Sequence, residues 1–167
     1  MVNFKRLARH HFMPPWAWRR AFPQATVDAI EGAIRAGETT HGGEIRFVIE
    51  NSLPGILILR GMSGRERAIG MFSNLRVWDT EHNSGVLVYL LLADHDIEIV
   101  ADRGIAARVD PASWEAIAQT METAFRQGEF ERGALEGIRQ ISALLAAHFP
   151  PSGDNPDELA NRPVIVS

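Results

Sequence analysis

The sequence predicts an α/β protein, a single-domain α/β/α sandwich built on a small mixed β-sheet. Three observations carry that expectation. GVLVYLLLA, Gly85 to Ala93, is a continuous apolar run of strand length, suited to the centre of a sheet covered on both faces. EIRFVIE, Glu44 to Glu50, alternates as a strand does, and a helical stretch separates it from that run, which is the order of a right-handed parallel crossover. Apolar residues at helical spacing precede and follow both strands. At 167 residues the chain holds one domain with a sizeable core and is too short for two ordinary ones.

The elements follow in order. From Gln24 to Ala36, Val27, Ile30 and Ile34 recur at helical spacing, and Gly37 offers a stop. After Glu44–Glu50, Ser63 and Glu66 form a capping-box pattern, S-x-x-E, so a helix is expected from near Ser63 to near Val77. Gly85–Ala93 is the central strand, with Val86, Val88, Leu90 and Leu92 on one face and Leu87, Tyr89 and Leu91 on the other. Asp94-His95-Asp96 turns the chain, and Ile97–Asp102 returns antiparallel. Asp110 and Pro111 open a helix whose buried face carries Trp114, Ile117, Met121 and Phe125. A last helix runs from about Phe130 to Phe149 and stops at Pro150-Pro151.

Three parts result: a basic, aromatic arm over residues 1–23, a domain over 24–149, and a C-terminal stretch over 150–167 with a polar loop and a possible edge strand, PVIV. The arm is expected to dock Phe12, Trp16 or Trp18 on the domain itself or on a second copy; attachment to an anionic membrane is a further possibility. His10-His11 reads as a solvated pair.

Composition narrows the function. Cysteine is absent, which excludes a disulfide framework, a thiol nucleophile and a thiolate zinc site. The net charge of −4 divides into +5 over residues 1–22 and −9 over the rest, so an acidic body argues against nucleic acid as a partner. No stretch is long and apolar enough to span a bilayer, and FMPPWAW is not a signal-peptide core; the expectation is a cytoplasmic protein, with a protein partner possible.

The predicted topology brings HGGE (41–44), WDTEHNSG (78–85) and ADRG (101–104) to one end of the sheet. Asp79, Glu81, Asn83 and Asp102 are the candidate metal ligands, with His41, Glu44, His82 and Arg103 in supporting positions. Clustered carboxylates repel one another unless a cation sits among them. Oxygen ligands with an asparagine carbonyl suit calcium or magnesium more than zinc or manganese, which the histidines would admit. Ordinary loop chemistry explains the same residues, with Asp79 and Thr80 finishing a helix and Asn83 and Gly85 making a turn.

The segments GGEIRFVIE, LRVWDTEHNSGVLVYLLLADHDIEIVADRGI and FRQGEFERGALEGI together resemble the TPM domain family over about Gln24 to Phe149. That resemblance implies an α/β sandwich, divalent-metal binding in several members, and a phosphatase activity associated with plant thylakoid members. On this chain it touches chiefly Asp79, Glu81, Asn83 and Asp102. The commonest family arrangement flanks the domain with a signal peptide and a membrane anchor; this chain looks like a stand-alone branch with its own arm. The expected function is therefore a binding or assembly module holding a divalent cation, with a metal-dependent phosphatase using the same cluster as the alternative.

Other chemistries find little support. Asp94 and Asp96 have the local look of a D-x-D phosphatase nucleophile, but Lys5 is the only lysine, and a strand returns at once. GMSGR misses the G-x-S-x-G elbow, and the capping box explains Ser63. There is neither a P-loop nor a G-x-G-x-x-G motif.

Overall fold

A computed structural model describes residues 3–153 and 156–167. Met1 and Val2 of the arm and Asp154 and Asn155 of the polar loop lie outside the described residues. The helices are α1 (Phe4–His11), α2 (Ala17–Ala21), α3 (Gln24–Glu38), α4 (Gly55–Leu59), α5 (Gly64–Asn74), α6 (Arg103–Ala106), α7 (Pro111–Arg126) and α8 (Phe130–His148). The strands are β1 (Glu44–Glu50), β2 (Gly85–Leu91), β3 (Asp96–Ala101) and β4 (Val164–Val166).

These strands form one mixed sheet in the order β3-β2-β1-β4. β1 runs parallel to β2, with Glu44 opposite Gly85, and parallel to β4, with Val48 opposite Val164. β2 and β3 are antiparallel, with Val86 opposite Ala101. PVIV thus supplies the edge strand beside β1.

The central strand is buried along its whole length because both of its faces are covered. Val86, Val88, Leu90 and Leu92 meet Ile30 and Ile34 of α3, Ile117 and Met121 of α7, and Ile138 and Ile141 of α8. Leu87, Tyr89 and Leu91 face the other way, toward Ile58 of α4 and Ala68 and Met71 of α5. Within that second layer Glu50 is buried, but it is fully engaged: the Arg67 guanidinium donates to both its oxygens at 2.8 Å, and the Tyr89 hydroxyl donates to Oε2 at 2.6 Å.

Local sequence sets the element ends. Ser63 and Glu66 close the expected capping box at α5, and Asp110 with Pro111 opens α7. β2 is two residues shorter than its apolar run, because Leu92–Asp94 tighten into a 3₁₀ turn and His95 takes a left-handed φ of 52°. Helices α4 and α6 carry too few residues to show a period.

The arm folds against the far end of the sheet, where β1 and β2 finish. His10 is buried: its Nδ1 accepts from Leu53 N–H at 2.9 Å, and its Nε2 lies 3.1 Å from Asp94. The reading of His10 as solvated is therefore corrected, since a partly buried carboxylate and a backbone donor hold it. Asp94 also receives Arg6 at 2.8 Å and Arg9 at 3.1 Å. Asn51 bridges the arm by accepting from Trp18 N–H and donating to Pro14 C=O. Trp18 packs on the core, whereas Phe12 and Trp16, expected among the anchors, are exposed. Polar groups and Trp18, rather than all the aromatics, dock the arm.

Candidate functional site

At the opposite end of the sheet, where β1 and β2 begin and β3 finishes, the backbone itself draws three segments together. Glu44 N–H donates to Ser84 C=O at 3.0 Å, and Asp102 N–H donates to Gly85 C=O at 2.8 Å. Two glycines permit the approach: a Cβ on Gly85 would lie 2.0 Å from the Val77 carbonyl oxygen, and one on Gly104 would lie 2.6 Å from the carbonyls of His82 and Asn83.

The acidic loop is a well-bonded turn. Thr80 accepts at its carbonyl from Asn83 N–H and at its hydroxyl from Ser84 N–H. Asn83 adopts a left-handed φ of 51°, and its side-chain oxygen accepts from Arg103 Nε at 3.1 Å. Asp79 and His82 are exposed; Glu81 is exposed too, and its N–H donates to Glu158. Asp102 is buried: Oδ1 caps α6 by accepting from Arg103 N–H at 2.7 Å, while Oδ2 has no hydrogen-bond partner among the described residues. Glu81, His82, Asn83 and Gly104 line an open cavity of about 510 Å³ that Arg108 and Phe149 complete.

Beside this loop a second group converges more tightly. Among the described residues, the three-carboxylate group whose ligand oxygens all lie within 4.8 Å of one another is Glu38, Glu44 and Asp157. Glu38 is the last residue of α3, and its Oε1 accepts from Ile45 N–H at 3.1 Å, on the side of β1 that β4 is too short to cover. Glu44 opens β1, and its Oε2 accepts from Leu159 N–H at 3.1 Å. Asp157 comes from the C-terminal loop and accepts from the Asn161 side chain. Arg35, Thr39 and Ser152 share the adjoining cavity of about 380 Å³.

Burial dominates the electrostatics. It pushes the Glu38 carboxyl up to about 8, helped by the nearby Glu44 and Asp157 and opposed by the Ile45 bond. It pushes Glu44 up to about 7, against the backbone donors of Leu159 and Glu158. Buried His41 accepts from Gly43 N–H at Nδ1, and burial holds its imidazole below the usual range.

Of the residues expected from sequence, Glu44 thus belongs to the tight carboxylate group, whereas Asp79, Glu81, Asn83 and Asp102 sit in and under the neighbouring loop. Glu38 and Asp157 escaped sequence reasoning. Glu38 reads as an ordinary helix-end residue, and Asp157 is one acid in a polar tract far along the chain. The short spacing from Glu38 to Glu44 across a Gly-Gly turn is the one local sign that the two could face each other.

The TPM domain family matches residues 19–144 of this chain, from α2 to near the end of α8. The chain belongs to the TPM domain family. A similar solved structure is the NMR structure of the BA42 protein from the psychrophilic bacterium Bizionia argentinensis, at 31% identity and a TM-score of 0.75, covering 84% of this chain and 92% of that one. The N-terminal domain of a P. gingivalis protein shares the fold at 16% identity and a TM-score of 0.62, covering 86% and 96% of the two chains. No curated protein matches. Within the TPM match lie Glu38, Glu44 and the acidic loop; Asp157 comes from beyond it.

Proposed function

We propose that this TPM-domain protein is a divalent-cation-binding module whose site is the carboxylate group at the start of β1. The observation that carries the reading is the convergence of Glu38, Glu44 and Asp157 within 4.8 Å. Glu38 and Glu44 are each held by a backbone N–H, so their positions do not depend on the cation. All-oxygen ligands suit calcium or magnesium. A bound cation would offset the cost of ionising two buried carboxyls and so compete with the protons that burial favours. The loop residues Asp79, Glu81, Asn83 and Asp102 offer a second location at the same end of the sheet, favoured by the buried Oδ2 of Asp102.

Thermal unfolding with added calcium or magnesium tests this. A cation at a hundred times its Kd stabilises the folded state by about 2.7 kcal/mol, so the midpoint should rise clearly. Glu44→Gln should abolish the rise and Asp102→Asn should leave it. The reverse pattern moves the cation to the loop, and a flat midpoint in millimolar calcium and magnesium removes both locations. A phosphatase would use the same cation to polarise a phosphoryl oxygen and activate water. Hydrolysis of an aryl phosphate faster than in Glu44→Gln and in Asp102→Asn would be its signature.

A further inference from the structure

The surface formed by α1, α2 and α4 differs in kind from the rest of the molecule. Residues 1–27 and 51–65 contain no aspartate or glutamate but carry seven cationic side chains, so the remaining residues hold a net charge of −11. Arg6, Arg9 and Arg65 are engaged with Asp94 and Glu98, whereas Lys5, Arg19, Arg20 and Arg60 are exposed and make no ion pair among the described residues. Exposed large apolar side chains gather on the same elements. Phe4, Phe12 and Trp16 of the arm and Ile56 and Leu59 of α4 range from 49% to 77% exposed.

Packing makes these one layer. Arg6 reaches the Met62 carbonyl and His10 meets Leu53 N–H, so α1 runs antiparallel to α4, with Phe4 toward the Leu59 end. Leu7 lies against Gly55 between the two helices, and α4 turns Ile58 inward, which leaves Ile56 on the opposite side of its helix. Asn51 joins the Pro14–Trp18 segment to the same layer.

We infer that this layer is a docking face for an anionic phospholipid membrane. Exposed aromatic and aliphatic side chains beside unpaired cations, on segments that themselves carry no acid, are what an interfacial contact needs: apolar groups enter the headgroup boundary while lysine and arginine meet lipid phosphates. The body's negative charge would orient the molecule with this face toward the membrane. The inference stands independently of the cation site.

Co-sedimentation of the full chain with vesicles tests it. The protein should pellet with vesicles of phosphatidylcholine containing about one third phosphatidylserine, bind pure phosphatidylcholine far less, and release as salt rises. Each cation near an anionic surface strengthens binding on the order of fivefold, so Arg19→Glu with Arg20→Glu should weaken it by more than tenfold. Phe4→Ser with Phe12→Ser and Trp16→Ser changes only exposed side chains and should also lower binding at least tenfold, with an unchanged thermal midpoint confirming folding. Equal binding to the two vesicle types, or variants that bind like the parent, would overturn the inference. So would a dimer in light scattering that the apolar variant converts to a monomer, because the face would then be a contact between copies.

Discussion

Asp94 occupies the turn after β2 and gathers Arg6, Arg9 and His10 from a helix at the other end of the chain. Burial alone would raise its carboxyl, but hydrogen bonds from His10 and Arg6 outweigh that and hold it down at about 2. The same aspartate that resembles a D-x-D nucleophile in sequence is thus committed to holding the arm. Asp94→Ala removes charge-assisted hydrogen bonds from a partly buried site, so it should cost about 2 kcal/mol and make the arm sensitive to protease. Because the folded carboxyl is depressed from 3.8, its contribution is present above that pH and lost as pH falls toward 2. Urea midpoints of parent and variant should therefore differ at neutral pH and converge in strong acid; parallel curves throughout would mean that the contact contributes nothing.

At the scale of elements, β2 is the member that both layers depend on. Leu90 is fully buried, with Ile49 and Ile97 as its cross-strand neighbours. Leu90→Ala should lower stability by about 2–5 kcal/mol in denaturant titration, as buried leucine truncations do; a cost under 1 kcal/mol would mean a loosely packed central strand. β3 is an edge strand, and its outward backbone is guarded. Arg65 donates to Ile99 C=O, Glu122 accepts from Ile97 N–H, and Asp96 and Glu98 place charge along the strand. Those devices suppress pairing with another chain.

Across the whole molecule, two sets of carboxyls pull the pH dependence in opposite directions. Glu38 and Glu44 have folded values of about 8 and 7, above the ordinary 4.5, so the cation-free fold holds their protons more tightly than the unfolded chain does. Their effect is a loss of stability as pH rises from about 4.5 to 8, whereas Asp94 acts below about 4. The cation-free protein should be most stable near pH 4–5, and Glu38→Gln should flatten the decline on the alkaline side. Calcium or magnesium at the site should remove that decline as well, because it competes with the protons. Urea midpoints measured across this range, with and without the cation, check all three outcomes.

Sequence by itself determined the elements and their faces. A period of two or of 3.6 is written in neighbouring residues, so the division of β2 between two cores, the capping box at Ser63 and the opening of α7 at Asp110 were all legible. It also determined that the acidic loop shares a sheet end with Glu44 and Asp102, because a parallel crossover followed by a hairpin admits that arrangement. Only the tertiary structure decided which carboxylates meet. Glu38 joins Glu44 because α3 ends beside β1, and Asp157 joins them because the loop before β4 crosses the start of β1. His10 likewise becomes buried only where the arm crosses Leu53 and Asp94. Proximity and desolvation depend on how distant segments pack, and those two quantities set both the carboxyl pKa values and the site.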